Sequence, residues 1–186
     1  LRINKQKKQS RGEIMLSKTI EKALNDQITF EFYSEYLYLA MAAYCDSIDL
    51  GGFANWLVAQ AEEEHSHALR LFKYVQDREG RVILGALEQP QSDFEDIVAL
   101  FEQVLHHERK VTARITEIYE LAVKEKDYPT QIEMEWFIKE QVEEEKSASD
   151  ILKQVKWVKD NPMGLLMLDQ QLAQRQPSAL PAGENE

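Results

Sequence analysis

From Ser17 to about Asp46, the apolar positions Ile20, Leu24, Ile28, Tyr38, Ala42 and Cys45 recur three or four residues apart, the period of one helix face. After Gly51 and Gly52, the positions Phe53, Leu57, Leu71 and Val75 repeat the pattern up to a glycine stop at about Gly80. The stretch from Arg81 to Gln91 has no helical period and contains Gly85 and Pro90. It leads into Ser92-Asp93-Phe94-Glu95, a capping-box pattern that predicts the start of a third helix. The stripe of that helix is Ile97, Phe101, Val104, Val111, Ile115, Ile118 and Ala122, and Asp127-Tyr128-Pro129 breaks it with a proline placed to open the next helix. A fourth stripe, Phe137, Ala148, Ile151, Val155 and Val158, runs to Asn161-Pro162, and the apolar segment from Leu165 to Leu172 suits a short fifth helix.

Each long helix should span about 28 to 32 residues, or about 42 to 48 Å at the standard rise per residue. Helices of matched length suit a bundle. The first and second helices, and the third and fourth, have short connections and should be antiparallel neighbours, whereas the link between the second and third is long enough to run the length of the bundle. The predicted fold is an all-α four-helix bundle, up-down-down-up with one long crossover, plus a short C-terminal helix.

Each stripe is interrupted near its middle by an acid: Glu31 in the first helix, Glu64 in the second, Glu108 in the third and Glu144 in the fourth. They keep the phase of their stripes, which read 24, 28, 31, 38; 57, 60, 64, 67, 71; 104, 108, 111; and 137, 141, 144, 148. A glutamate is rarely buried unless it is paired or metal-bound, because taking its charge out of water costs several kcal/mol. Four acids near the midpoints of antiparallel helices would meet at one height, and would repel one another without a cation. The stripes supply no lysine or arginine there, but His67 lies three residues after Glu64 on the same face and adds a nitrogen donor. Carboxylates with imidazole suit iron, manganese or zinc rather than calcium or copper(I), and two divalent ions bridged by Glu64 would balance the charges best. Glu62, Glu63, Glu143 and Glu145 belong to acid runs that ordinarily face solvent, and His65, His106 and His107 read as surface or flank positions. Tyr38 and Cys45 sit on the first stripe, where packing accounts for them.

Composition narrows the classes further. With 186 residues, 44% hydrophobic and 30% charged, the chain suits one compact domain. A formal charge of -11, from 33 acidic and 22 basic residues, argues against nucleic acid or an anionic membrane as partner and favours cations. The single Cys45 can close no internal disulfide, and no cysteine pair is present for zinc or an iron–sulfur centre, so a reducing cytoplasm is expected. No apolar run reaches the roughly 18 residues of a membrane span. Residues 1 to 14 are basic and polar and read as a disordered extension or as sequence upstream of a start at Met15, with a phosphate-touching arm as the alternative; residues 175 to 186 read as a disordered tail.

The chain resembles the bacterial non-haem ferritins over about Met15 to Gln174. The matching segments are Gln27-Ile28-Thr29-Phe30-Glu31-Phe32-Tyr33-Ser34, Glu63-Glu64-His65-Ser66-His67, His107-Glu108, Tyr128-Pro129-Thr130 and Glu140-Gln141-Val142-Glu143-Glu144-Glu145-Lys146. The resemblance implies an oxidation centre with Glu31, Glu64 and His67 at a first iron, and Glu64, Glu108 and Glu144 at a second, with Gln141 beside it and Tyr38 next to the centre. It further implies a weaker third iron site from Glu63, Glu140 and Glu143, with Glu144 shared, and a hollow shell of 24 subunits around a ferric mineral. Bacterioferritins would place a second Glu-x-x-His where this chain has Ser147, and a haem-ligating methionine where it has His65, so no haem is expected. Rubrerythrins would need cysteine pairs, and DNA-protecting mini-ferritins lack the fifth helix.

The activity this implies is oxidation of Fe(II) to Fe(III) by O2 or H2O2, promoted by anionic oxygen ligands that favour the ferric state. Two other classes stand beside it. A di-metal oxygenase acting on an organic substrate would need an apolar pocket by the metals, and a non-catalytic helical interaction module would leave the acidic layer without a reason.

Overall fold

The computed structural model describes residues 15–176; the basic segment 1–14 and the tail beyond Gln176 lie outside the described residues. Five helices follow in order: α1 (Lys18–Ser47), α2 (Gly51–Asp77), α3 (Ile97–Glu125), α4 (Tyr128–Val158) and α5 (Pro162–Leu172), with no strand among the described residues. The long helices have 30, 27, 29 and 31 residues, so all four can flank a common centre.

The core consists of two apolar clusters, and their membership gives the topology. One combines the C-terminal half of α1 (Leu37, Met41), the N-terminal half of α2 (Phe53, Leu57), the N-terminal half of α3 (Leu100, Phe101, Val104) and the C-terminal half of α4 (Ile151, Val155) with Leu168 and Leu172 of α5. The other combines the opposite halves, among them Leu24, Ile28, Leu71, Val75, Val111, Ile115, Met134 and Phe137. Helices α1 and α4 therefore run one way and α2 and α3 the other, the expected up-down-down-up order. The connection from α2 to α3 must then cross the bundle. It does so along α1: the Arg81 carbonyl accepts from Asn25 at 2.9 Å, the Ile83 amide donates to Asn25 at 2.7 Å, the Gly85 amide donates to Thr29 at 3.0 Å, and the Phe94 carbonyl accepts from Tyr44 at 2.9 Å.

Three boundaries differ from the sequence expectation. Helix α3 begins at Ile97, not at Ser92, because Asp96 is the cap: its carboxylate accepts from the Ala99 amide at 2.7 Å, while Ser92 turns toward Asp93. At the end of α2 the left-handed position falls on Glu79 (φ 56), with Gly80 next, its amide closing onto the Val75 carbonyl at 2.8 Å. Helix α5 starts three residues earlier than the apolar run, with Asn161 as cap and Pro162 in the first turn.

Helix α5 also completes α2. Leu50 offers no side-chain cap to the start of α2. The Asp169 carboxylate supplies one from α5, accepting from the Gly52 amide at 2.8 Å and the Phe53 amide at 3.0 Å. The approach is so close that a Cβ on Gly52 would sit 1.7 Å from the Asp169 carbonyl oxygen, which explains a glycine in the first turn of a helix.

Candidate metal centre

Between the two apolar clusters lies a polar layer to which every long helix contributes. Glu31 is 0% exposed, Glu64 1% and Glu108 1%, and Glu144 is half-buried. Their positions follow from the stripes: each occupies a core-facing register of its helix, so packing the apolar residues above and below forces the carboxylate inward.

Each carboxylate is held by a neighbouring donor. The Gln27 amide donates to Glu31 Oε1 at 2.9 Å. The Gln60 amide donates to Glu144 Oε2 at 2.8 Å and, more weakly, to Glu64 Oε1 at 3.4 Å. Glu108 accepts from the Tyr38 hydroxyl and from the Gln141 amide, the latter at 3.2 Å. Imidazole Nδ1 of His67 lies 3.7 Å from Glu64 Oε2, and the ring packs against Trp136 and Phe137. Glu31, Glu64, His67, Glu108, Gln141, Glu144 and Tyr38 are thus linked across four helices by these contacts and by the charge coupling described next.

Two oxygens of the layer, Glu31 Oε2 and Glu64 Oε2, are buried with no hydrogen bond, His67 Nδ1 standing off the latter at 3.7 Å. An ionised carboxylate oxygen without a donor is costly in a low-dielectric interior. The electrostatics respond. Burial, with the Glu64 charge, pushes the Glu31 carboxyl up to about 8. Glu64 is raised well above its ordinary value by burial and by Glu108 and Glu144; burial likewise raises Glu108, and burial with the charges of Glu108 and Glu63 raises Glu144. Burial and the surrounding carboxylates hold the Tyr38 phenol well above its usual range, so it stays a proton donor to Glu108. Two ionised carboxylates cannot hydrogen-bond to one another; a shared proton or a cation between them satisfies both. Among the described residues no three acid or imidazole groups already close into a tight metal cage. The side chains nonetheless fit divalent cations by their chemistry: hard anionic oxygens, one imidazole, and two buried carboxylate oxygens with no hydrogen bond.

The residues of the implied third site are dispersed differently. Glu63 and Glu140 are half-buried and Glu143 is exposed. Among the described residues, no hydrogen bond or ion pair joins Glu140 or Glu143 to the four central glutamates, whereas Glu63 ion-pairs with Arg175.

Several functional neighbours escaped the sequence reading. His107, placed there at the surface or flank, is 4% exposed: its Nε2 lies 2.7 Å from Ser34 Oγ, and its ring stacks on Phe30 and meets Tyr38 edge-on. Burial, aided by the charges of Lys110 and His106, lowers it to about 4, so the ring is neutral. The spacing Val104, His107, Val111 was the available signal. Gln27 and Gln60 were also missed as site residues. Both are completely buried, and each presents its amide nitrogen to the carboxylates while its oxygen accepts from an arginine: Gln27 from Arg114 at 2.8 Å, Gln60 from Arg175 at 2.9 Å.

The fold defines a class, up-down-down-up four-helix bundles with a short fifth helix, and the comparisons name the family. Residues 21–158 match the family model described as a ferritin-like domain. The "Bacterial non-heme ferritin" of Staphylococcus aureus (strain USA300) is 37% identical over 161 residues, 87% of this chain and 97% of that protein, and the Staphylococcus haemolyticus protein of the same name matches equally well. Among solved structures, a novel open pore ferritin from the hyperthermophilic archaeon Archaeoglobus fulgidus superposes with a TM-score of 0.86 at 46% identity, covering 88% of this chain and 99% of that one. A structure titled humanized archaeal ferritin gives a TM-score of 0.87 at 44% identity, with the same coverage. The chain belongs to the ferritin family, and iron storage is the function that family membership supports.

Proposed function

We propose that this chain is a ferroxidase subunit of an iron-storing shell: it takes up Fe(II) as substrate at the central layer, oxidises it with O2 or H2O2, and passes Fe(III) to a mineral inside a homo-oligomer of 24 copies in the cytoplasm. The observation that carries the reading is the pair of buried oxygens without a hydrogen bond, Glu31 Oε2 and Glu64 Oε2, in a layer supplied with one glutamate by each of four helices. Glu31, Glu64 and His67 are assigned to a first iron, and Glu64, Glu108 and Glu144 to a second, with Gln141 beside it; Glu63, Glu140 and Glu143, sharing Glu144, are assigned to a weaker third.

The protein side of the chemistry follows from charge. Anionic oxygens in a dry layer stabilise a trivalent ion more than a divalent one, so each ferrous ion gives up an electron to the oxidant more readily there than in water. Binding requires the raised carboxyls to lose their protons, so uptake releases protons. Tyr38 and Gln141 keep Glu108 oriented, and Gln60 does the same for Glu144. With its single imidazole on the first side, the site is asymmetric and holds its second iron more loosely, which suits turnover more than a permanently held cofactor. A surface groove of about 400 Å³ beside the crossover is lined by Phe32, Tyr36, Leu39, Leu84 and Leu87 and by none of the four glutamates, so that groove offers no organic substrate a place beside the centre.

Stopped-flow oxidation of ferrous iron, with native mass on the same sample, tests the proposal. The wild type should form a shell of hundreds of kilodaltons and oxidise iron rapidly. His67→Ala should keep the shell and slow oxidation by about tenfold or more. Unchanged speed in that variant removes His67 from the site, and a small oligomer argues against storage.

A further inference from the structure

Beyond the residues assigned to iron, one cation is built into the edge of the centre. Arg175 follows α5, far from the layer in sequence, yet its guanidinium ion-pairs with Glu63, donates to Gln60 Oε1 at 2.9 Å, and stacks over the Trp56 ring with its carbon 4.4 Å from the centroid. Its backbone is tied down as well, because the Asn55 amide donates to the Arg175 carbonyl at 3.0 Å. Both partners lead inward. Gln60 passes its amide on to Glu144 and Glu64, and the charge of Glu63 is felt by Glu144.

We propose that Arg175 is a positioning residue that acts as a tethered cation: it occupies the Glu63 carboxylate, competing with any metal ion that would bind there, and it fixes the orientation of Gln60 against the central glutamates. The geometry separates these roles from simple packing. A guanidinium fork bridging a carboxylate and an amide oxygen sets which end of the amide faces the layer. A metal at Glu63 must displace that fork. Arg114 orients Gln27 in the same way, but among the described residues it hydrogen-bonds Gln27 and the Asp26 carbonyl and no carboxylate, so it orients without masking an acid.

The inference rests on the proposed metal centre, and zinc, a redox-inert probe, tests the two separately. Zinc titrations by calorimetry would be run on intact shells of the wild type, Arg175→Gln, Arg114→Gln, Glu63→Gln, the Arg175→Gln/Glu63→Gln double variant and Glu64→Ala. Removing the tethered cation should tighten the third zinc per subunit by about tenfold, the equivalent of one hydrogen bond to a charged group. That gain should vanish in the Glu63→Gln background and be missing from Arg114→Gln. A merely structural role would loosen the third zinc together with the first two. A third zinc that is unmoved or weakened in Arg175→Gln, a gain that survives in the double variant, or an equal gain in Arg114→Gln overturns the inference while the two tight, Glu64-dependent zincs stand. Tight zincs that ignore Glu64→Ala instead overturn the reading of the centre.

Discussion

Leu24, Ile28 and Leu71 on one side of the bundle, and Leu57, Phe101 and Val104 on the other, are completely enclosed by apolar neighbours. In the layer between them Glu31, Glu64 and Glu108 are just as deeply buried, yet two of their oxygens have no hydrogen bond. Burial therefore has opposite consequences within one fold. In the apolar halves every buried methylene stabilises the folded chain. In the layer, burial raises the carboxyl pKa values and stores a deficit that a cation would relieve. The difference teaches that the apolar clusters are the part that holds the subunit together, and that they hold the layer in a state it would not adopt alone.

Opposite substitutions should break the two regions in opposite directions. Phe101→Ala empties a fully buried site and should cost about 3 to 5 kcal/mol, seen as a lower melting temperature with or without metal. Glu31→Met, similar in volume, removes a buried carboxyl with an unsatisfied oxygen and should leave the metal-free subunit as stable or more stable by about 1 kcal/mol or more. The same variant should lose most of the stabilisation that zinc gives the wild type. A metal-free Glu31→Met that melts well below the wild type would mean that the layer is not a deficit at all.

A smaller effect sharpens the comparison through pH. Glu31 is raised from 4.5 to about 8 by burial and by Glu64, and Glu64, Glu108 and Glu144 are raised as well. A carboxyl with a raised folded-state pKa binds its proton more tightly in the folded chain. Its contribution to stability is therefore whole below about 4.5 and is lost as pH climbs through the folded value. Calorimetry of metal-free protein should show the melting temperature falling as pH rises from about 5 through about 8, with a shallower fall in Glu31→Met. Equal slopes in both proteins would contradict the assignment.

The contrast also explains what could be read from the chain. The helices and the crossover were legible because apolar positions repeat every three or four residues, and Glu31, Glu64 and Glu108 stood out because an acid in phase with such a stripe is rare. Residues that act across the fold were not. Gln60 was in phase on its stripe, but an amide there carries no charge signal, and its arginine lies 115 positions away. His107 was read as a surface or flank residue, although it faces α1 and bonds Ser34. Ser92 imitated a cap in sequence, and only the course of the crossover along α1 shows that the helix waits for Asp96.

The central claim is that cations bind in the buried layer and not on the exposed acids. Anomalous diffraction from crystals soaked in ferrous iron without oxygen tests it most directly, using the wild type and Glu108→Ala in parallel. The account predicts two strong peaks in the wild type, one between Glu31, Glu64 and His67 and one between Glu64, Glu108 and Glu144, beside a weaker third at Glu63, Glu140 and Glu143, with the second lost or much weakened in Glu108→Ala. Peaks confined to exposed acids such as Glu62 and Glu117, with an empty layer between Glu31 and Glu64, would contradict it.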